Sequence, residues 1–134
     1  MSHLTYFAYP GIGERIRKEQ HMSQAVRIGD VIEIAGQGGW HPLDSTWPET
    51  PSAHIDQAFS NVDFCLKDAG GKGWSQVYKV RCYYLDPACF ADVVRNLKMH
   101  CPDHEPVFTA IQVAGLAFPE MQIELEAYAH VTEK

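Results

Sequence analysis

Residues 121–131 read Met121-Gln122-Ile123-Glu124-Leu125-Glu126-Ala127-Tyr128-Ala129-His130-Val131, alternating small or apolar side chains with polar or aromatic ones. Successive side chains of a strand point to opposite faces. Ile123, Leu125 and Ala127 therefore share one side, and Glu124, Glu126 and Tyr128 the other. Such a strand is buried on one face only, so the chain must supply elements to cover its apolar side.

The neighbouring segments supply them. Phe108 to Val113 and Val77 to Leu85 read as further strands, the second with Val80, Cys82 and Tyr84 alternating against Lys79, Arg81 and Tyr83. Ala25 to Ile28 and Val31 to Ala35 flank Gly29-Asp30, the pattern of a two-residue hairpin. Thr5 to Ala8 adds a short first strand. Two segments change period. From His54 to Ala69, the residues Ile55, Ala58, Phe59, Val62, Phe64, Cys65, Leu66 and Ala69 fall mainly on one helical face, with Ser52 to cap the start and Gly70-Gly71 to end it. Pro87 to His100 repeats the pattern, with Phe90, Val93, Val94 and Leu97 inward and Asp86 as cap. The order β-β-β-α-β-α-β-β predicts one α+β domain over residues 1–134, a mixed six-stranded sheet with two helices packed on one face. The stretch from Gly38-Gly39 through Pro42 to Pro51 is the one long loop, the kind of segment that tends to carry function.

Composition narrows the partners. A chain of 134 residues buries enough surface to fold without a metal or disulfide. Its net charge of -6 argues against nucleic acid, which needs clustered Lys and Arg. The basic group Arg15, Arg17 and Lys18 is interrupted by Glu14 and Glu19 and reads as a solvated face. No apolar run reaches the length of a membrane span, and the first residues lack a signal peptide's pattern, so a cytosolic location is expected. Cys65, Cys82, Cys89 and Cys101 contain no Cys-x-x-Cys pair, and no metal site is expected; His100, Cys101 and His104 lie beside an ordinary helix-ending loop.

The punctuation of these elements resembles the Rid (YjgF/RidA-type) family. The matching pieces are Ser23-Gln24-Ala25-Val26, Gly29-Asp30, Ala35-Gly36-Gln37, the helix His54-x-x-Gln57-Ala58-x-x-Asn61, Asp68-Ala69-Gly70, Lys79-Val80, Pro106 before a strand, Val113-Ala114-Gly115-Leu116 and Ile123-Glu124-Leu125-Glu126-Ala127. They run in order from about Met22 to His130. The resemblance implies a chorismate-mutase-like fold, a homotrimer with clefts between subunits, and in its deaminase members hydrolysis of reactive enamines and imines with no cofactor. A sheet face left open by the helices gives a physical reason for such assembly. Glu124, Glu126 and Gln112, with Tyr83, Tyr128 and Phe108, are expected on that face.

The resemblance also exposes departures. Imine hydrolysis calls for a cation to hold the substrate carboxylate and a polar group to position water. Where the deaminases resemble one another in carrying an Arg two residues after Pro, this chain reads Pro106-Val107-Phe108, so Phe108 replaces the clamp. Met22, Ala35 and Ala110 likewise stand where the family's Tyr, Ser and small polar residue would be. The implied pocket is more apolar, suited to a larger, uncharged or aromatic ligand. Glu124 matches the family's water-positioning acid; on an apolar wall its pKa would rise, and it is expected on the same side as Phe108. The plainer alternative is a solvated strand residue. Trp40 and His41 in the long loop offer a stacking surface and a titratable group, and Tyr84 and Gln112 are further candidates for the cleft lining. Three functions stay open: an enamine or imine hydrolase, a cyclase, isomerase or tautomerase on the same scaffold, and a non-catalytic ligand-binding trimer. A nuclease would need a basic cleft and ranks last.

Overall fold

The computed structural model describes residues 1–132. Its strands are β1 (Thr5–Phe7), β2 (Ala25–Ile28), β3 (Val31–Ile34), β4 (Val77–Tyr84), β5 (Val107–Gln112) and β6 (Ile123–His130). They form one mixed sheet in the order β1-β2-β3-β6-β4-β5, where β4 and β5 are parallel and all other pairs antiparallel. Gly29 takes φ 60° between β2 and β3, the left-handed conformation that makes glycine suitable for this tight connection.

Three helices accompany the sheet: α1 (Ile12–Gln20), α2 (Pro51–Asp68) and α3 (Phe90–His100). α2 and α3 occupy the predicted places. α1 is a correction, since no helix is expected before the hairpin from the residue pattern. Its apolar anchors are Ile12 and Ile16, one turn apart, and the rest is mostly charged and exposed, so it lacks the stripe that marks a helix in sequence. The mixed-charge run does face solvent as expected, but in helical form.

The caps show how local chemistry is divided. Thr50, not Ser52, caps α2, its hydroxyl accepting from the Ala53 N–H at 3.2 Å with Pro51 in the first helical position. Ser52 donates to Asp92 at 2.8 Å and so ties α2 to α3. Asp86 caps a short 3₁₀ turn (Pro87–Cys89) that leads into α3. Along α3, Val93 is buried while Val94 is 46% exposed, so Val94 belongs to the outer surface rather than the core.

The core lies between α2 and the sheet. Ile55, Ala58, Phe59, Val62 and Leu66 from the helix meet Ile32, Val80, Cys82, Ile123, Leu125 and Ala127 from the strands, all fully buried. Burying a large aliphatic side chain stabilises by roughly 1.5–3 kcal/mol, so this layer dominates the fold's energetics. Cys65 and Cys82 pack in it as small apolar groups, and burial pushes both thiols well above their ordinary pKa. No helix among the described residues is long and apolar enough to cross a membrane.

Candidate functional site

Strand register decides which candidates can meet. Val80 lies opposite Phe108 on one side and Ala127 on the other, and Tyr83 lies opposite Ile111 and Glu124. Residues directly opposite share a face. Phe108, Ala110, Gln112 and Tyr84 therefore belong to the helix-covered face, and Phe108 and Ala110 pack against the core. Glu124 belongs to the open face. The expectation that Glu124 and Phe108 look the same way is overturned, and Phe108 and Gln112 are not open-face residues. β5 presents Val107, Thr109 and Ile111 there instead, all exposed. Tyr84 packs edge-on against Phe90 with centroids 4.9 Å apart, and the exposed Gln112 donates to the Leu85 carbonyl at 3.1 Å.

The open face carries a cavity of about 670 Å³ beside β2 and β3, walled by the end of α1. A volume of that order suits a small molecule. Met22 and Ala35, two of the positions picked from the sequence, line it together. His21 explains their placement. It ends α1 in the left-handed conformation (φ 61°, ψ 40°), its N–H donating to the Arg17 carbonyl at 3.0 Å, and so turns the chain toward the rim.

Glu124 stands next to that cavity. Its carboxylate lies over the backbone of Gly36, the residue after Ala35, and a Cβ at Gly36 would overlap it. Burial, and secondarily the nearby Glu126 carboxylate, holds the Glu124 carboxyl above its ordinary value. The partner carboxylate is differently placed. Glu126 accepts a 2.6 Å hydrogen bond from the Tyr83 hydroxyl, which raises the Tyr83 pKa. Glu124 has no hydrogen-bond partner among the described residues. It is thus a half-buried carboxylate free to engage a ligand or water.

The loop residues part company. Trp40 is 4% exposed and sits in the core, its indole donating to the Tyr9 hydroxyl at 3.1 Å and its ring edge-on to Trp47 and Phe118. That position gives it no surface to stack on a ligand in the cavity. Tyr9 in turn donates to Gln37 at 2.7 Å, Gln37 donates to Gln24 at 2.8 Å, and Asn61 donates to the carbonyls of Gly38 and Trp40. This buried network fixes the Ala35–Trp40 segment from behind. His41 is exposed and lies 3.3 Å from Asp44, away from the cavity lining.

Sequence reasoning missed Arg17, Glu33 and Tyr6, which also line the cavity. Arg17 hid inside an apparently solvated helix, and Tyr6 inside a three-residue strand. Glu33 was legible in principle, because its place opposite Val26 and Tyr128 follows once the hairpin register is known. Among the described residues no three His, Cys, Asp or Glu side chains gather as a metal would require. His100 stacks beside Phe59 and Trp74, and His104 bonds the Val77 carbonyl at 2.9 Å, so these two do not converge.

No protein of curated function matches the chain. Among solved structures it is similar to a Mycobacterium tuberculosis member of the YjgF/YER057c/UK114 family, with 24% identity over 96% of this chain and 99% of that one and a TM-score of 0.79. It is also similar to RidA from the Antarctic bacterium Psychrobacter sp. PAMC 21119, at 27% identity over 84% and 90% of the two chains and a TM-score of 0.77. A third similarity is to a putative endoribonuclease from Thermotoga maritima, at 26% identity over 84% and 87% and a TM-score of 0.75. The sequence profile of the endoribonuclease L-PSP family matches residues 12–131, and the chain therefore belongs to that family, the one that holds the YjgF and RidA proteins.

Proposed function

We propose that this chain is a RidA-like hydrolase of a reactive enamine or imine, acting in an apolar pocket that a subunit interface completes. The observation that carries the reading is Glu124, a half-buried, unpartnered carboxylate with raised pKa that lies over Gly36, the residue after the cavity-lining Ala35. A carboxylate poised nearer neutral pH exchanges protons efficiently in both directions. In the forward step it takes a proton from water as the water oxygen adds to the C=N carbon. It gives that proton to the nitrogen, forming a carbinolamine. It then carries the hydroxyl proton to the nitrogen in the same way as the C–N bond breaks and the C=O bond forms, so an imine and water yield a carbonyl compound and ammonia. Nothing in this sequence of proton transfers calls for a cofactor.

Assembly follows from the same surface. The open face is charged at its centre but apolar at both edges, where Tyr6 (47% exposed), Val107 (64%) and Ile111 (43%) stand uncovered. On this reading one subunit's exposed β5 edge meets a neighbour's open face beside Glu124 in a homotrimer. Analytical ultracentrifugation checks this, and a clean monomer rules the interface pocket out.

The decisive experiment is semicarbazide trapping of 2-iminopropionate and bulkier imines. The wild-type protein is expected to outpace the uncatalysed rate, and Glu124→Gln to lose roughly 10²–10⁴-fold, the usual worth of a positioned acid–base group. Turnover no faster than the uncatalysed rate for every imine ends the hydrolase reading. One set of observations favours a second reading: Met22, Ala35, Phe108 and Ala110 are all apolar where the family's polar groups stand. A cyclase, isomerase or tautomerase using Glu124 as proton shuttle, or a ligand-binding trimer without chemistry, needs none of them. Proton exchange into a trapped substrate analogue from deuterated water separates the enzyme from the binder.

A further inference from the structure

An anion-binding site needs a cation with no internal partner, aimed at a concavity where apolar walls weaken screening by water. Several cations of this molecule are already engaged. Arg95 pairs with Asp56 and Asp92 at 2.6 and 2.7 Å, and Lys67 with Asp63 at 2.7 Å. Arg27 donates to the Gly29 carbonyl, while Lys79 and Arg81 lie over the Tyr128 ring. Arg17 differs. Among the described residues no carboxylate lies within ion-pair distance of its guanidinium, whose one hydrogen bond is a long 3.4 Å contact to the Ser23 hydroxyl, and it lines the cavity.

The fold holds it there. Arg17 occupies the last turn of α1, and the left-handed His21 turn, bonded back to the Arg17 carbonyl, sets Met22 and Ser23 on the same rim. The cavity is also lined by the side chains of Val26 and Ala35, by the Tyr6 ring, and by Glu33, which is not within ion-pair distance of Arg17.

We infer that Arg17 is the anion clamp of this pocket, supplied from α1. The ligand it selects is a small molecule with one carboxylate on an apolar body. A guanidinium offers two parallel donors that fit a planar carboxylate. Glu33 in the same lining and the chain's net charge of -6 disfavour a multiply charged group such as phosphate. Arg17 on α1 and Glu33 on β3 also orient the ligand, with its carboxylate toward α1 and any cationic nitrogen toward β3. Arg17 is thus a specificity-determining residue. The inference rests on the functional reading above only in taking this cavity as the place where the ligand sits.

The test is an amide-resolved NMR titration of the intact protein with phenylacetate and with its uncharged isostere phenylacetamide. Phenylacetate should shift the backbone amides of Ser23, Ala35 and Gly36 saturably, with the amide analogue binding about tenfold more weakly or worse, the ratio a charge-assisted hydrogen bond supplies. Arg17→Met should remove that preference, and Arg17→Lys should keep part of it, because a point charge lacks the fork. Arg17 is exposed, so neither variant threatens the fold. Equal binding of acid and amide, an acid preference unchanged in Arg17→Met, shifts confined to other residues, or no saturable binding each overturns the clamp. Imine turnover that depends on Glu124 would leave the hydrolase reading standing in any of those cases. Arg17-dependent binding with no turnover would do the reverse.

Discussion

On the helix-covered face of β4 and β6, Val80, Cys82, Leu125 and Ala127 have no exposed surface, while on the other face of the same strands Lys79, Arg81, Glu124 and Glu126 all keep some. One backbone serves both sets. The covered side is bound by volume, because α2 packs on it and each atom has neighbours to lose. The open side is bound by electrostatics: a tyrosine hydroxyl holds one glutamate, burial lifts the pKa of another, and two cations rest on Tyr128. The sheet thus separates its two faces, with close packing on one side and charge on the other.

Three substitutions probe that separation. The largest effect is expected from Leu125→Ala, which opens a void beneath α2. Denaturant unfolding should show a loss of about 2–5 kcal/mol, and a loss below 1 kcal/mol would show the covered face to be looser than its burial indicates. Next comes Tyr9→Phe, which strips the buried network behind the cavity rim and leaves Gln37 and the Trp40 indole without their partner. A cost of about 1–3 kcal/mol is expected, with faster amide exchange from Ala35 to Trp40; unchanged exchange there would disconnect the network from the rim. The smallest effect, of opposite sign, belongs to Glu124→Gln. A carboxyl whose folded pKa lies above its unfolded one is least costly when protonated, so its penalty grows as pH rises through the folded value. The neutral isostere should raise the melting temperature slightly at neutral pH, and the gain should vanish once pH falls below the ordinary carboxylate range. A variant less stable at neutral pH would show that the native carboxylate is stabilised by contacts rather than strained by burial.

The fold was largely legible because its signals are local. Alternation in 121–131 and the helical spacing of Ile55, Ala58, Phe59 and Val62 each fit within a few turns of chain. α1 was not legible, since Ile12 and Ile16 alone make too narrow a stripe. The site was legible only in part. Alternation says that Glu124 and Leu125 oppose each other, and likewise Phe108 and Thr109, but not which member of one pair joins which of the other. β5 and β6 do not touch; β4 lies between them, and its register with each is a long-range fact. Trp40 and His41 fail for a related reason. They are neighbours in sequence, yet the indole found the Tyr9 hydroxyl inside while the imidazole stayed outside. Arg17 entered the site through the turn at His21, which no periodicity announces.

Gly36 has a consequence that reaches beyond structure. The Glu124 carboxylate occupies the space where any other residue at 36 would place its Cβ, so two positions 88 apart in the chain (124 − 36) compete for one volume. A side chain at 36 requires the Glu124 carboxylate to swing aside or be shortened, and either takes the acid from where it now stands. A change at Glu124 carries no such precondition. Inheritance should therefore lean one way: descendants that hold the acid in this position keep the glycine, whereas descendants with a glycine at 36 are free to abandon the acid.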